Sequence, residues 1–207
     1  MASEREVSLD EGDIAEHWLA QFQGWHSELR ATEAPEPDAM VLATADADGR
    51  PSARTVLLKG VDEAGFEFFT NLDSRKGREL AANPHASLVF PWYALRRQVL
   101  VTGLVSGVSD ERADTYFESR AHRSKLGALA SRQSTVIAGR SVLEQALSEL
   151  EARYPPGSDV PRPERWSGFR LEPETVEFWQ GRRDRLHDRL RFRRREAGEW
   201  ALERLSP

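Results

Sequence analysis

The sequence predicts an α+β fold built on antiparallel strands. Three observations carry that expectation. Short apolar runs are separated by turn signals from Met40 onward, and Asp48-Gly49 sits between two of them, where a tight hairpin belongs. Residues 52–59 and 66–70 follow each other across Asp62-Glu-Ala-Gly65 with no helix between them, which reads as a meander and not a βαβ unit. Glycine-rich phosphate loops of the Rossmann or P-loop type are absent. With 207 residues, 39% of them hydrophobic, the chain suits one domain over 1–207.

The first ten residues are polar and expected to be mobile. Residues 13–29 place Ile14, Trp18, Phe22 and Trp25 at helical spacing, the stripe of a core or subunit contact. Pro35 and Pro37 break that helix, so 1–38 forms a helical extension to the domain. Strands follow at 40–45, 52–59 and 66–70. Ser74 is a good N-cap for a helix reaching Ala82, with Arg75 and Lys76 in its first turn. Two readings stay open there: an anion site at a helix N-terminus, or an exposed helix with ordinary basic residues.

Residues 86–92 and 98–108 predict two more strands. A helix over 110–120, capped by Ser109 or Asp110, puts Tyr116 and Arg120 on one face, and Ser124 joins them if the helix continues. Phenol, guanidinium and hydroxyl in a row suit a phosphate or a ring hydroxyl; a surface pairing is the plain alternative. Residues 141–154 read as an amphipathic helix with Leu143, Ala146, Leu147 and Leu150 inward. A proline-rich connector at 154–163 leads to closing strands at 166–171, 176–180, 185–193 and 200–205.

Composition narrows the function. Charged residues make up 30% of the chain, yet the net charge is −5, which argues against a nucleic-acid partner. There is no cysteine, which excludes disulfides, thiolate nucleophiles and Cys-ligated zinc. Five histidines without paired spacing predict no metal site. No signal-peptide pattern and no apolar run near the roughly 20 residues that span a bilayer are present. The expectation is a soluble, cytoplasmic protein with no membrane partner.

The densest charge lies in residues 177–195, EFWQGRRDRLHDRLRFRRR. Read as a strand from Arg185, the residues Arg185, His187, Arg189, Arg191 and Arg193 share one face, and Leu186, Asp188, Leu190 and Phe192 the other. Such a cationic face is either a solvated edge that blocks aggregation or a phosphate site. On a strand, Arg185 and Arg189 stand roughly 13 Å apart. That spacing sends them to different ligands, with His187 between.

Several stretches in order then carry a resemblance: Arg54-Thr-Val-Leu-Leu-Lys59, Asn71-Leu-Asp-Ser-Arg-Lys76, Arg97-Gln98-Val, Tyr116-Phe-Glu-Ser-Arg120, Ser131-Arg-Gln-Ser134, Glu177-Phe-Trp-Gln-Gly181, Arg185-Leu-His-Asp-Arg189 and Arg204-Leu-Ser-Pro207. From about Met40 to Pro207 the chain resembles the pyridoxine/pyridoxamine 5′-phosphate oxidase family. The resemblance implies a split β-barrel of antiparallel Greek-key type with peripheral helices, binding FMN at a homodimer interface. It implies that Arg54, Thr55, Val56, Leu57, Leu58, Lys59, Phe69, Thr70, Arg75, Lys76, Gln98, Gln133, Ser134, Trp179 and Arg189 line the FMN. Lys59, Tyr116, Arg120, Ser124, Arg185 and His187 would hold the phosphorylated substrate, with Arg185 and His187 placing its ring for catalysis. A regular strand would point Arg54 and Lys59 oppositely, so a bulge or strand end is expected before Lys59. Phe69 stands where tyrosine is common, Ala121-His122 where Pro-Arg is common, and Leu129 where tryptophan is common. The N-terminal segment has no Arg-x-x-Tyr pattern.

The implied activity is oxidation of pyridoxamine 5′-phosphate, with pyridoxine 5′-phosphate a second candidate, by oxygen to pyridoxal 5′-phosphate and hydrogen peroxide. A phenazine-type flavin oxidase is an alternative, against which Lys59 counts. A non-catalytic carrier of FMN or pyridoxal phosphate is another.

Overall fold

The computed structural model describes residues 8–207. β1 (Ala39–Ala45) and β2 (Pro51–Leu57) pair antiparallel around the expected turn. Gly49 takes φ +79 there, a conformation glycine adopts without a Cβ clash. The Asp46 carboxylate accepts from the amides of Asp48 (3.0 Å) and Arg50 (2.9 Å) and fixes the turn.

The meander stops at that hairpin. β3 (Gly60–Asp62), a strand the sequence reading does not predict, pairs with β4 (Gly65–Asn71). β4 then pairs with β7 (Trp166–Gln180), not with β2. With β5 (His85–Trp92) and β6 (Arg97–Gly107), the sheet order is β2-β1-β5-β6-β7-β4-β3. The reason lies at the end of β2. Leu58 turns into the core, and the Lys59 amide donates to the Glu67 carbonyl at 2.8 Å. Alternation is broken there, as the opposed Arg54 and Lys59 required, and the sheet curls back on itself as a split barrel.

The two strands expected at 166–171 and 176–180 are one, β7. Pro173 lies inside it and cannot donate to a ladder. The register against β6 slips between Thr102 and Gly103 to accommodate it. Gly103 is needed at that slip, because a Cβ there would sit 2.0 Å from the Glu172 carbonyl oxygen.

α1 (Trp18–Arg30) starts later than the periodicity suggested, with the His17 ring accepting from the Leu19 amide at 3.3 Å. It buries Trp18, Phe22, Trp25 and Leu29. Phe22 meets Phe66 and Phe90 edge-on, both at 5.0 Å between centroids, and this aromatic cluster is the centre of the core. Leu9 is also buried and its amide donates to Asp188 Oδ2 at 3.1 Å, so the expected mobile terminus does not extend to that residue. Residues 1–7 of that expectation lie outside the described residues.

The helices α2 (Arg75–Ala82), α3 (Asp110–Ser119), α4 (His122–Ala130) and α5 (Arg140–Arg153) flank the sheet. Ser74 caps α2 by accepting from the Gly77 amide at 3.3 Å, and Ser109 caps α3. The leucines of α5 are not inward: Leu143 is exposed, and Ala146, Leu147 and Leu150 are half-buried. The principal neighbour of α5 is α4, not the sheet, so its apolar face has little to bury against.

The strand expected at 185–193 begins only at Asp188. β8 (Asp188–Arg194) pairs with β7 and with β9 (Trp200–Arg204). Asp184 and Arg185 have φ 56 and 63 in a one-turn 3-10 segment, which no strand accommodates. The turn is closed by the Arg182 amide donating to His187 Nδ1 at 3.0 Å. Arg185 and His187 therefore leave the face that Arg189, Arg191 and Arg193 share. The strand expectation holds for the rest, with Leu190 and Phe192 buried opposite.

Candidate active site

A cavity of about 520 Å³ opens beside the end of β2. Its walls are Thr55, Val56, Leu57 and Lys59 from β2 and its exit, Phe69, Thr70 and Asn71 from β4, and Lys76 from α2. Tyr116, Arg120, Ser124, Gly127 and Ala128 come from α3, α4 and their junction. Ser131 and Gln133 follow α4, and Trp166 opens β7. Tyr116, Arg120 and Ser124 do meet, though not by one continued helix. Arg120 leaves the helical region with ψ 146, and α4 restarts at His122. The break bends the chain so that all three side chains reach the same space.

Of the three cations in these walls, Lys59, Lys76 and Arg120, the last two carry buried nitrogens with no carboxylate partner among the described residues. Lys76 is 7% exposed and donates to Thr70 Oγ1 (3.1 Å), Gln133 Oε1 (3.0 Å) and Ser74 Oγ (3.5 Å), all neutral oxygens. Burial depresses its pKa, the Arg54 charge adds to that, and Glu79 opposes it. Arg120 lies over the Trp166 ring at 4.9 Å, and its Nη1 is buried without a hydrogen-bond partner among the described residues. Burial lowers its pKa as well. A buried donor left unmet, as Arg120 Nη1 is, costs about 1–3 kcal/mol, and a buried cation met only by neutral oxygens, as Lys76 is, is also penalised, so both positions favour an incoming anion.

A flat aromatic wall stands next to these charges. Phe69 stacks on Tyr116 at 4.1 Å and on Trp166 at 5.5 Å, with interplanar angles of 28° and 16°. The expected tyrosine at Phe69 is thus replaced by a ring that packs without a hydroxyl. Gly168 makes room for it, since a Cβ there would lie 2.6 Å from Phe69 Cε1.

Behind Lys76, the buried Glu79 carboxylate gathers donors. It accepts from Thr44 Oγ1 (2.5 Å), Ser52 Oγ (2.6 Å), Arg54 Nη2 (3.1 Å) and Arg75 Nε (2.7 Å). Burial alone would raise its pKa, but these hydrogen bonds outweigh it and hold the group at about 2. Arg54 also donates to Thr44 and Ser52, which turns it away from the cavity.

Of the residues singled out by sequence, Thr55, Val56, Leu57, Lys59, Phe69, Thr70, Lys76, Tyr116, Arg120, Ser124 and Gln133 line this cavity. Leu58 packs in the core, Arg54 and Arg75 stand behind it on Glu79, and Ser134 lines a neighbouring groove. Gln98, Trp179, His187 and Arg189 form a separate group. Gln98 and Arg189 flank Trp179 in register, and the His187 and Trp179 rings are 4.6 Å apart. Arg189 is held by both oxygens of Glu177, at 2.7 and 3.0 Å. Trp166 and Trp179 are thirteen residues apart on β7, roughly 40 Å by the rise of a strand. The two groups therefore lie toward opposite ends of that strand.

The sequence reading missed Trp166, Asn71 and Glu79. Trp166 had a usable signal, an aromatic opening a strand two residues before a glycine. Glu79 had none, because its partners come from three elements. Among the described residues no cluster of three or more His, Asp or Glu is placed to hold a metal ion, and no helix is long and apolar enough to cross a membrane.

Known proteins match the chain at both halves. The family described as "Pyridoxamine 5'-phosphate oxidase" matches residues 26–154, and the "Pyridoxine 5'-phosphate oxidase C-terminal dimerisation region" matches 166–207. A pyridoxine/pyridoxamine 5′-phosphate oxidase of Salinispora arenicola is 54% identical over 202 residues, covering 98% of this chain and 91% of its own. One of Streptomyces avermitilis is 54% identical over 203 residues, covering 96% and 91%. The crystal structure of PhzG from Burkholderia lata, in complex with tetrahydrophenazine-1-carboxylic acid, superposes with a TM-score of 0.90 at 32% identity, covering 98% of this chain and 99% of its own.

Proposed function

The chain belongs to the pyridoxamine 5′-phosphate oxidase family, and on that footing we propose that it oxidises pyridoxamine 5′-phosphate to pyridoxal 5′-phosphate with FMN as cofactor. The observation that carries this reading is a pair of cations without a carboxylate contact, the buried Lys76 and the half-buried Arg120 with its buried Nη1, in one aromatic-walled cavity. A flavin phosphate and a substrate phosphate are two anions attached to flat rings, and the cavity offers a cation for each. Lys76, with Thr70 and Gln133, fits the cofactor phosphate. Arg120, with Lys59, Tyr116 and Ser124, fits the substrate phosphate. When bound, FMN would supply the two-electron acceptor that takes a hydride from the substrate's C4′ and passes the electrons to oxygen. Water then hydrolyses the oxidised amine to pyridoxal 5′-phosphate and ammonia, and the oxygen that accepts the electrons leaves as hydrogen peroxide. The protein's own part is to bind, to orient and to exclude water.

The second group, Gln98, Trp179, His187 and Arg189, with Arg185 on the turn before His187, completes the site in a homodimer when each chain presents it to the other's cavity. The separation along β7 and the match to a dimerisation region support this arrangement. Arg185 and His187, held on the 182–187 turn, would face the substrate ring. Arg189 would reach the flavin while braced by Glu177. On the same reading residues 1–207 form one cytoplasmic domain, in which 1–38 supplies the helix that fills the core.

The test is direct. The purified protein should be yellow, carry one FMN per subunit, and release peroxide and pyridoxal 5′-phosphate from pyridoxamine 5′-phosphate. A colourless protein that takes up no added FMN defeats the proposal. The likeness to PhzG favours a phenazine-type flavin oxidase as the second reading. The higher identity of the vitamin B6 oxidases weighs against it, and turnover of a reduced phenazine carboxylate in place of the amine would establish it.

A further inference from the structure

Glu79 is the least expected member of the cofactor end. A carboxylate beside a phosphate site repels the ligand, yet this one is 5% exposed and saturated with donors. It joins Arg54 of β2 to Arg75 of α2, and its charge also acts on Lys76. Without it, three cations would converge around a partly buried space with no anion among them. With it, they keep an excess of two positive charges, the charge of a phosphate dianion.

We propose that Glu79 is a built-in counterion, a positioning residue that holds Arg54, Arg75 and Lys76 assembled while the phosphate site is unfilled. This rests on the reading that a phosphate binds at Lys76. It goes further in saying why the cationic cluster survives before that phosphate arrives. Like charges brought together repel, most strongly where one is buried as Lys76 is, and a carboxylate bonded to Arg54 and to the more exposed Arg75 offsets that repulsion. A carboxylate there also sets a limit on affinity, because it lowers the positive potential that an incoming phosphate meets at Lys76.

The consequence is a reciprocal dependence on anions. Glu79→Gln keeps the size of the side chain and an acceptor oxygen but removes the charge. The flavin-free full chain carrying it should melt about 4–8 °C lower in chloride buffer, as loss of a charge-assisted pair predicts. Inorganic phosphate at matched ionic strength should recover at least half of that loss, by binding where the missing charge was. Wild type should gain little from the same phosphate. Glu203→Gln is the control, since Glu203 also joins two arginines, Arg191 and Arg193, but on a more exposed strand pair away from the Lys76 cavity. Phosphate should not rescue it. If Glu79→Gln fails to fold in chloride, refolding yield in phosphate against chloride is read instead. An equal loss in both salts makes Glu79 an ordinary hydrogen-bond acceptor and overturns the inference, as does an unchanged melting temperature. Wild-type FMN binding is measured alongside. Its absence would sink the proposed function, while the phosphate rescue still stands or falls on its own result.

Discussion

The two arginine-rich regions of this molecule look alike in sequence and differ in kind. On β8, Arg189 is matched by Glu177, Arg191 and Arg193 by Glu203, and Arg194 by Glu172. These are cross-strand pairs, and they neutralise the face that composition made appear anion-seeking. At the cavity there are fewer cations, but Lys76 is buried among neutral oxygens, and the half-buried Arg120 lies on aromatic faces with its Nη1 buried and unmet among the described residues. The difference teaches that the density of charge says little about where a ligand goes. What matters is whether a buried charge has already been answered by the protein itself.

Substitutions at the two regions can sharpen or break that contrast. The largest effect is expected from Arg120→Ala, which should lower kcat/KM for pyridoxamine 5′-phosphate about ten- to a hundredfold, as loss of a charge-assisted contact does. Wild-type kinetics would remove Arg120 from the substrate site. Next, Lys76→Met should weaken FMN binding about tenfold in a fluorescence titration. It should leave the flavin-free protein about as stable as before, because a buried cation that no carboxylate contacts directly is replaced by an apolar chain of similar length. A large loss of stability would mean that Lys76 is structural.

The acid limb of stability should be steeper for the cavity region than for an exposed pair. The Glu79 pKa falls from an ordinary 4.5 to about 2 on folding. Its contribution is therefore complete above about pH 4.5 and is lost as pH falls toward 2. The urea midpoint should drop between pH 6 and pH 3.5, and Glu79→Gln should shrink that drop. No change in the pH dependence would contradict the assignment. The smallest effect is expected on β8. Arg191→Gln leaves Glu203 its bond to Arg193 and should change stability by less than about 0.5 kcal/mol, with kinetics and flavin content intact. A marked loss of activity would mean that Arg191 serves a ligand after all.

Much of this was legible in the sequence wherever a local rule decided the outcome. Asp48-Gly49 placed the first hairpin, and Ser74 placed the cap of α2. Tyr116, Arg120 and Ser124 were read as one group, and they are, although a break in the helix achieves it. The failures were those where distant parts decide. Nothing near Arg185 signals a left-handed backbone at a non-glycine residue; the turn is fixed by His187 accepting from the Arg182 amide. Pro173 looked like a strand end and is a tolerated irregularity, because β6 slips to meet it. The leucines of α5 have the right period and too little to pack on within one chain. Glu79 could not be assigned before Thr44, Ser52 and Arg54 were known to surround it.

The length of β7 carries one more consequence. Its first tryptophan stands in one cavity and its last ones lie roughly 40 Å away, so on the proposed reading each chain owns two half-sites and no whole one. Two crippled chains can then repair each other. A subunit altered at Arg120 and a subunit altered at His187, mixed and allowed to exchange, would build hybrid pairs in which one site inherits both defects and the other inherits neither. Random pairing makes half the population hybrid, and activity should return to about a quarter of normal from two inactive parents.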